Sequence, residues 1–135
     1  WVNFFTVLNA IYFSDKFRSG NSPLTVTKCS KNITFNNKVA IIKMYPFIDF
    51  SMINFADNIK ACLLIGYHSG TADENAVDTL LSKCKEKNIP LYLQGLNKES
   101  ALYDSSNNLQ EKGVNLVYNS TPEYAYATLM IKVNS

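Results

Sequence analysis

The residue types best suited to proton transfer or nucleophilic attack lie in one short run, Gly66-Tyr67-His68-Ser69-Gly70-Thr71. His68 is the chain's single histidine, and Ser69 and Thr71 are the hydroxyls beside it. An imidazole titrates near neutral pH and serves as a general base for a hydroxyl within hydrogen-bond reach. The run lacks the Gly-x-Ser-x-Gly spacing of a nucleophile elbow. Thr71 also has a competing role as a helix cap, so the plainer reading is a solvated loop rather than a nucleophile. With Gly66 and Gly70 in the loop and a helix start behind it, free backbone N–H groups can hold a small anion or carboxylate. Tyr45 with Pro46, and Gln94 with Gly95, fall at other strand ends and are candidates for the rim of the same cleft; the plainer reading is that Tyr45 packs over the sheet edge and Gln94 simply leaves it. One histidine and three widely spaced cysteines, Cys29, Cys62 and Cys84, provide no metal-binding set. No cofactor is expected.

The segments that must position this loop alternate between short apolar runs and helical periodicity, the pattern of β-α units around a parallel sheet. Val39 to Tyr45 reads as a central strand, apolar on both faces and ended by Pro46. Ser51 is placed to cap a short helix carrying Met52, Phe55 and Ile59. Ala61 to Ile65 is a second buried strand. Thr71-Ala72-Asp73-Glu74 has capping-box spacing, and Val77, Leu80, Leu81 and Cys84 then recur at i, i+3, i+4, i+7. Leu91-Tyr92-Leu93 is a third strand, and a helix over residues 102–112 stops at Gly113. Val114 to Tyr118 is a fourth strand, before Thr121-Pro122-Glu123 opens a last helix with a cap, a proline at N1 and an acid in the first turn. The expected fold is α/β: a small open parallel sheet of about four strands, Rossmann-like, with helices on both faces. Residues 1–37 read as an N-terminal β arm or hairpin and residues 38–135 as the α/β domain.

Composition limits the partners. A chain of 135 residues supports one ordinary domain. Thirteen Lys and Arg against eleven Asp and Glu, scattered without a run, give no electrostatic footprint for nucleic acid. The apolar runs at residues 39–42 and 61–65 are far short of the roughly 20 residues that span a bilayer. No membrane association is expected, and cysteines placed as buried thiols suit a cytoplasmic, reducing compartment. Phe4, Phe5, Tyr12, Phe13 and Phe17 are numerous for one arm and suggest cover by a partner domain or subunit.

Taken in order, these segments resemble the C-terminal domain of the L-asparaginase family, which includes the related subunit of archaeal glutamyl-tRNA amidotransferase. The resemblance covers residues 38–133. Lys43-Met44-Tyr45-Pro46 is similar to the family's K-x-Y-P strand end, with Phe47 where a glycine commonly follows. Residues 60–67 resemble the strand before a G-x-G-x-G-N loop; here His68 replaces a glycine and Thr71 the asparagine. Lys87-Asn88-Ile89-Pro90 is similar to the K-x-I-P strand entry, and Tyr103 through Gly113-Val114 to the Y-x(n)-L-x-x-x-G-V segment. Thr121-Pro122-Glu123-Tyr124-Ala125 matches the terminal T-P-E-x-A helix. The family's S-Q-C-x-x-G pattern is missing after Leu93.

The resemblance implies a domain of an asparagine amidohydrolase whose catalytic threonines belong to a separate N-terminal domain, since this chain has neither T-G-G-T nor T-D-T. It implies no catalytic residue in this chain, a homo-oligomer, an amino-acid amide substrate for the intact enzyme, and a Gly66–Thr71 loop turned toward a neighbouring active site. A fragment of a tRNA-dependent amidotransferase subunit and a non-catalytic small-ligand or interaction module are the alternatives.

Overall fold

The computed structural model describes residues 36–67, 71–96 and 104–134. The proposed N-terminal β arm, apart from its last two residues, lies outside them, as do Cys29, His68, Ser69 and Gly70. The described residues form β1 (Val39–Lys43), β2 (Ala61–Ile65), α1 (Glu74–Glu86), β3 (Leu91–Leu96), α2 (Asp104–Glu111), β4 (Asn115–Tyr118) and α3 (Pro122–Asn134). The four strands are all parallel and lie side by side in chain order, β1-β2-β3-β4. The expected α/β class is therefore observed.

Strand alternation divides the core in two. On one face Cys62 and Leu64 of β2 and Leu91 and Leu93 of β3 pack with Val77, Leu80, Leu81 and Cys84 of α1 and with Leu109 of α2. On the other, Val39, Ala61 and Leu63 pack against Ala125, Leu129 and Met130 of α3. A monotonic strand order with right-handed crossovers puts every connection on one face. Among the described residues α3 is the helix that covers the opposite face.

Two expectations are corrected. β1 is an edge strand among the described residues, not a central one, and Ile41 is 48% exposed. The apolar run reads as doubly buried, but a first strand in a sheet ordered by sequence stands outermost. The helix expected after Ser51 is replaced by a strap of turns closed by Ile48 N–H to Tyr45 O, Ile53 N–H to Phe50 O and Ile59 N–H to Ala56 O. Asp49 accepts hydrogen bonds from both the backbone N–H and the hydroxyl of Ser51, at 2.8 Å each. This local bonding offers the backbone an alternative to the helix. Phe50 and Phe55 anchor the strap in the α1 face of the core, while Met52, expected on the buried stripe, is exposed.

α1 and α2 end by the same device. Asn88 and Gly113 take left-handed φ of 55° and 103°. Each is followed by a residue whose N–H bonds back into the last turn, Ile89 to Cys84 and Val114 to Leu109. The hydrophobic Ile89 and Val114 then pack into the core, a Schellman-type stop that turns the chain into the next strand. Among the described residues no helix is long and apolar enough to cross a membrane.

Candidate functional site

All four strands end on one edge of the sheet, so their C-terminal loops are neighbours. Hydrogen bonding continues past the strand ends: Met44 N–H donates to Ile65 O at 2.8 Å and Gly66 N–H to Gln94 O at 2.9 Å. Tyr67 N–H then donates to Thr71 O at 2.8 Å, pinching the base of the loop that carries His68, Ser69 and Gly70. Gly66 is required at this point. A Cβ there would lie 2.8 Å from Thr71 O and 3.2 Å from Gln94 O, and backbone held by ladder hydrogen bonds yields poorly.

Beyond β1 the chain turns through Tyr45-Pro46-Phe47-Ile48, closed by the Ile48 N–H to Tyr45 O bond. Phe47 has φ 62°. Proline followed by a left-handed residue is the arrangement of a type II turn, whose third position favours glycine. Phenylalanine is strained there, and its side chain is fully exposed. Tyr45 is also exposed, with the Lys43 ammonium 5.6 Å from its ring centroid.

Between this turn, the β2 loop and the start of α1 lies an open cleft of about 580 Å³. Its walls include Tyr45, Phe47, Tyr67, Asp49, Asp73 and Thr79. The charged residues among the described lining are Asp49 and Asp73. The hydrogen bonds from Ser51 N–H and Oγ hold the Asp49 carboxyl below its ordinary range, burial opposing them only slightly. The surface available to a ligand is thus aromatic and acidic, with the α1 N-terminus at its back. Among the described residues strand order never reverses, so their sheet has no topological switch point; the cleft is made by a turn, a loop and a helix end.

The sequence-derived candidates separate. Tyr45 and Tyr67 line the cleft; Gly66 and Thr71 shape the loop base through their backbones. Gln94 is not on the rim. It is 4% exposed, and its side-chain amide donates to Ser120 O, tying β3 to the turn before α3. The helix cap is also reassigned. Asp73, not Thr71, is the N-cap of α1, its Oδ1 accepting from Ala76 N–H at 2.9 Å. Helix α3 starts as expected, with Thr121 Oγ accepting from Tyr124 N–H at 3.2 Å and Pro122 at N1.

Phe47, Asp49 and Asp73 escaped the sequence reading as cleft residues. The Pro-Phe step after a strand was the available signal for Phe47, and Asp73 stood two residues inside the Thr71 capping box. Among the described residues no group of three or more His, Cys, Asp or Glu could hold a metal ion. The chain matches no protein-family model and no curated protein.

Proposed function

We propose that this chain is the C-terminal domain of an asparaginase-type amidohydrolase. In this reading the hydrolysis of L-asparagine to L-aspartate and ammonia is carried out by threonines of an N-terminal domain. This domain supports dimerisation and presents the Gly66–Thr71 loop to a neighbouring active site. One observation carries the reading: Phe47, at the position where the resembling family commonly has glycine, keeps the positive φ that glycine would supply. A turn that retains a glycine backbone under a strained side chain is what remains when the local fold persists and the residue changes. The placement of the Tyr45-Pro46 turn beside the loop after β2, and the Thr121-Pro122 start of α3, fit the same order of segments. Thr71, standing in for the family's loop asparagine, brings a shorter side chain with a hydroxyl and no amide.

The test is an ammonia-release assay with L-asparagine and L-glutamine. It is run on the 135-residue chain alone and on the same chain joined to a threonine-bearing asparaginase N-terminal domain, beside sizing chromatography. Ammonia from the joined protein and none from the chain alone is expected. Release by the chain alone would overturn the division of labour. A folded joined protein without activity would overturn the family reading.

A further inference from the structure

We propose that the cleft walled by Tyr45, Phe47 and Tyr67 binds a small organic cation whose head is a methylated ammonium, the class that includes choline. The turn after β1 supplies two of these aromatic side chains and the loop after β2 the third. The charged side chains among the described lining are the exposed carboxylates of Asp49 and Asp73. At about 580 Å³ the cleft falls within the roughly 300–1,000 Å³ of small-molecule sites. The face of an aromatic ring is negative and attracts cations, so rings and carboxylates select the same sign of charge. An anion, which a helix N-terminus would otherwise suit, meets two negative groups here, and Asp73 already accepts the Ala76 N–H. Tyr45 displays the attraction within the molecule: the Lys43 ammonium stands 5.6 Å from its ring centroid. Lys43 itself lies outside the described lining of the cleft.

Hydrogen bonding separates a methylated ammonium from a bare one. Both oxygens of Asp49 are engaged by Ser51, one by its N–H and one by its hydroxyl, at 2.8 Å each, and Asp73 Oδ1 by Ala76 N–H at 2.9 Å. A primary ammonium brings N–H groups that need acceptors, and water serves them better than carboxylates already committed to the backbone. A quaternary ammonium brings none. It is held by ring faces and by charge acting through space, which this cleft supplies. The positive end of α1 is already met by Asp73 and by Glu74 in the first turn. Phe47 adds an independent observation: its φ of 62° is costly for a non-glycine residue, and its fully exposed side chain gains no burial in return. Strain of this kind gathers at ligand clamps, and here it holds an aromatic side chain at the cleft wall. A carboxylate or phosphate elsewhere on the ligand would face the same two aspartates, so the rest of the molecule is neutral. This inference does not depend on the amidohydrolase reading.

The experiment titrates the 135-residue chain, labelled with nitrogen-15, at low salt and follows its amide resonances. Three probes are compared: choline, 3,3-dimethyl-1-butanol, which keeps the shape without the charge, and ethanolamine, which keeps the charge without the methyl groups. Saturable shifts with choline are expected at Tyr45, Phe47, Asp49, Tyr67 and Ala76, with each of the other two binding several-fold more weakly. Added salt should weaken choline binding, because the carboxylates act through space. Phe47→Gly, which relieves the turn and so keeps the fold, should lose several-fold in choline affinity, and Asp49→Asn should lose affinity and part of the salt dependence. Equal binding of choline and the neutral alcohol would overturn a cation site. Tighter binding of ethanolamine would overturn the methylated class. Shifts that do not saturate, that centre elsewhere, or that survive Phe47→Gly unchanged would overturn the cleft as the site.

Discussion

Gly66 and Thr71 meet backbone to backbone: a Cβ at residue 66 would stand 2.8 Å from the Thr71 carbonyl oxygen, the same oxygen that accepts the Tyr67 N–H. The loop after β2 is closed by this contact. Gly66→Ala must push apart two chain segments that are both hydrogen-bonded, at a cost of about 1–3 kcal/mol. A lower urea midpoint is expected, with faster hydrogen exchange at Tyr67. An unchanged midpoint would mean that the loop base yields freely.

The turn after β1 predicts a gain from removing a side chain. A left-handed backbone costs a non-glycine residue roughly 1–2 kcal/mol, and glycine returns about 0.5–1 kcal/mol of that through its greater freedom in the unfolded chain. Phe47 is fully exposed and loses no packing. Phe47→Gly should therefore raise the thermal midpoint slightly, whereas Phe47→Ala should not. Equal effects of the two substitutions would remove backbone strain as the cause.

Gln94 is an anchor and should behave as one. Replacing it by leucine leaves the Ser120 carbonyl without its buried donor, which costs about 1–3 kcal/mol. The loss should be seen in denaturant unfolding and should loosen the start of α3, read by hydrogen exchange at Glu123 and Tyr124. Full stability of Gln94→Leu would return the residue to the cleft rim.

The reassigned cap gives a paired comparison. Asp73→Ala removes the acceptor for Ala76 N–H and should cost about 1 kcal/mol, while Asp73→Asn should retain most of it. Urea melts of both variants decide the matter. An effect confined to Thr71→Ala would restore the capping box.

Stability should fall at both ends of the pH scale, by different groups. Asp57 is held below the ordinary 3.8 by its hydrogen bond to Lys87 at 2.9 Å, and Asp49 by its bonds to Ser51. A carboxylate depressed in the folded state contributes stability above its unfolded value, and that contribution is lost as pH falls through the folded one. The acid limb therefore begins near pH 4 and continues below it. Lys112 is raised above 10.5, chiefly by its bond to Asp78 at 2.7 Å. Its contribution is complete below that pH and is lost as pH rises through the folded value. All three groups are solvent-exposed, so the effects are small and screened by salt. Asp57→Asn and Asp49→Asn should flatten only the acid limb, and Lys112→Gln only the alkaline one. Unfolding curves across pH at low salt test the assignment.

By itself the sequence determined the parallel α/β class and the order of the four strands and the three helices described, because these rest on local periodicity. The 3.6-residue stripe of Val77, Leu80, Leu81 and Cys84 is buried as its spacing requires. The stop at Gly113 and the cap at Thr121 are also local, the first set by a left-handed backbone that few residue types favour and the second by a hydroxyl that accepts a first-turn N–H. The doubly apolar run at Ala61–Ile65 and the short run at Leu91–Leu93 became the two central strands. The gathering of Tyr45, Gly66, Tyr67 and Thr71 at one edge followed from parallel strands alone.

Only the tertiary structure decided the rest. Val39–Lys43 has the composition of a central strand, but its edge position depends on which strands neighbour it, and no residue within it encodes that. The strap at residues 44–60 had a plausible helical stripe, yet Asp49 bonding to Ser51 and the burial of Phe50 selected turns. Gln94 is a candidate for the rim in the sequence because it ends a strand on the same edge as the β2 loop, its plainer reading being that it simply leaves the sheet. It turned inward because a carbonyl twenty-six residues away, at Ser120, needed a donor. The cleft itself joins residues from three segments. Long-range packing chose those partners, since periodicity reports which face of an element is buried but not what it is buried against.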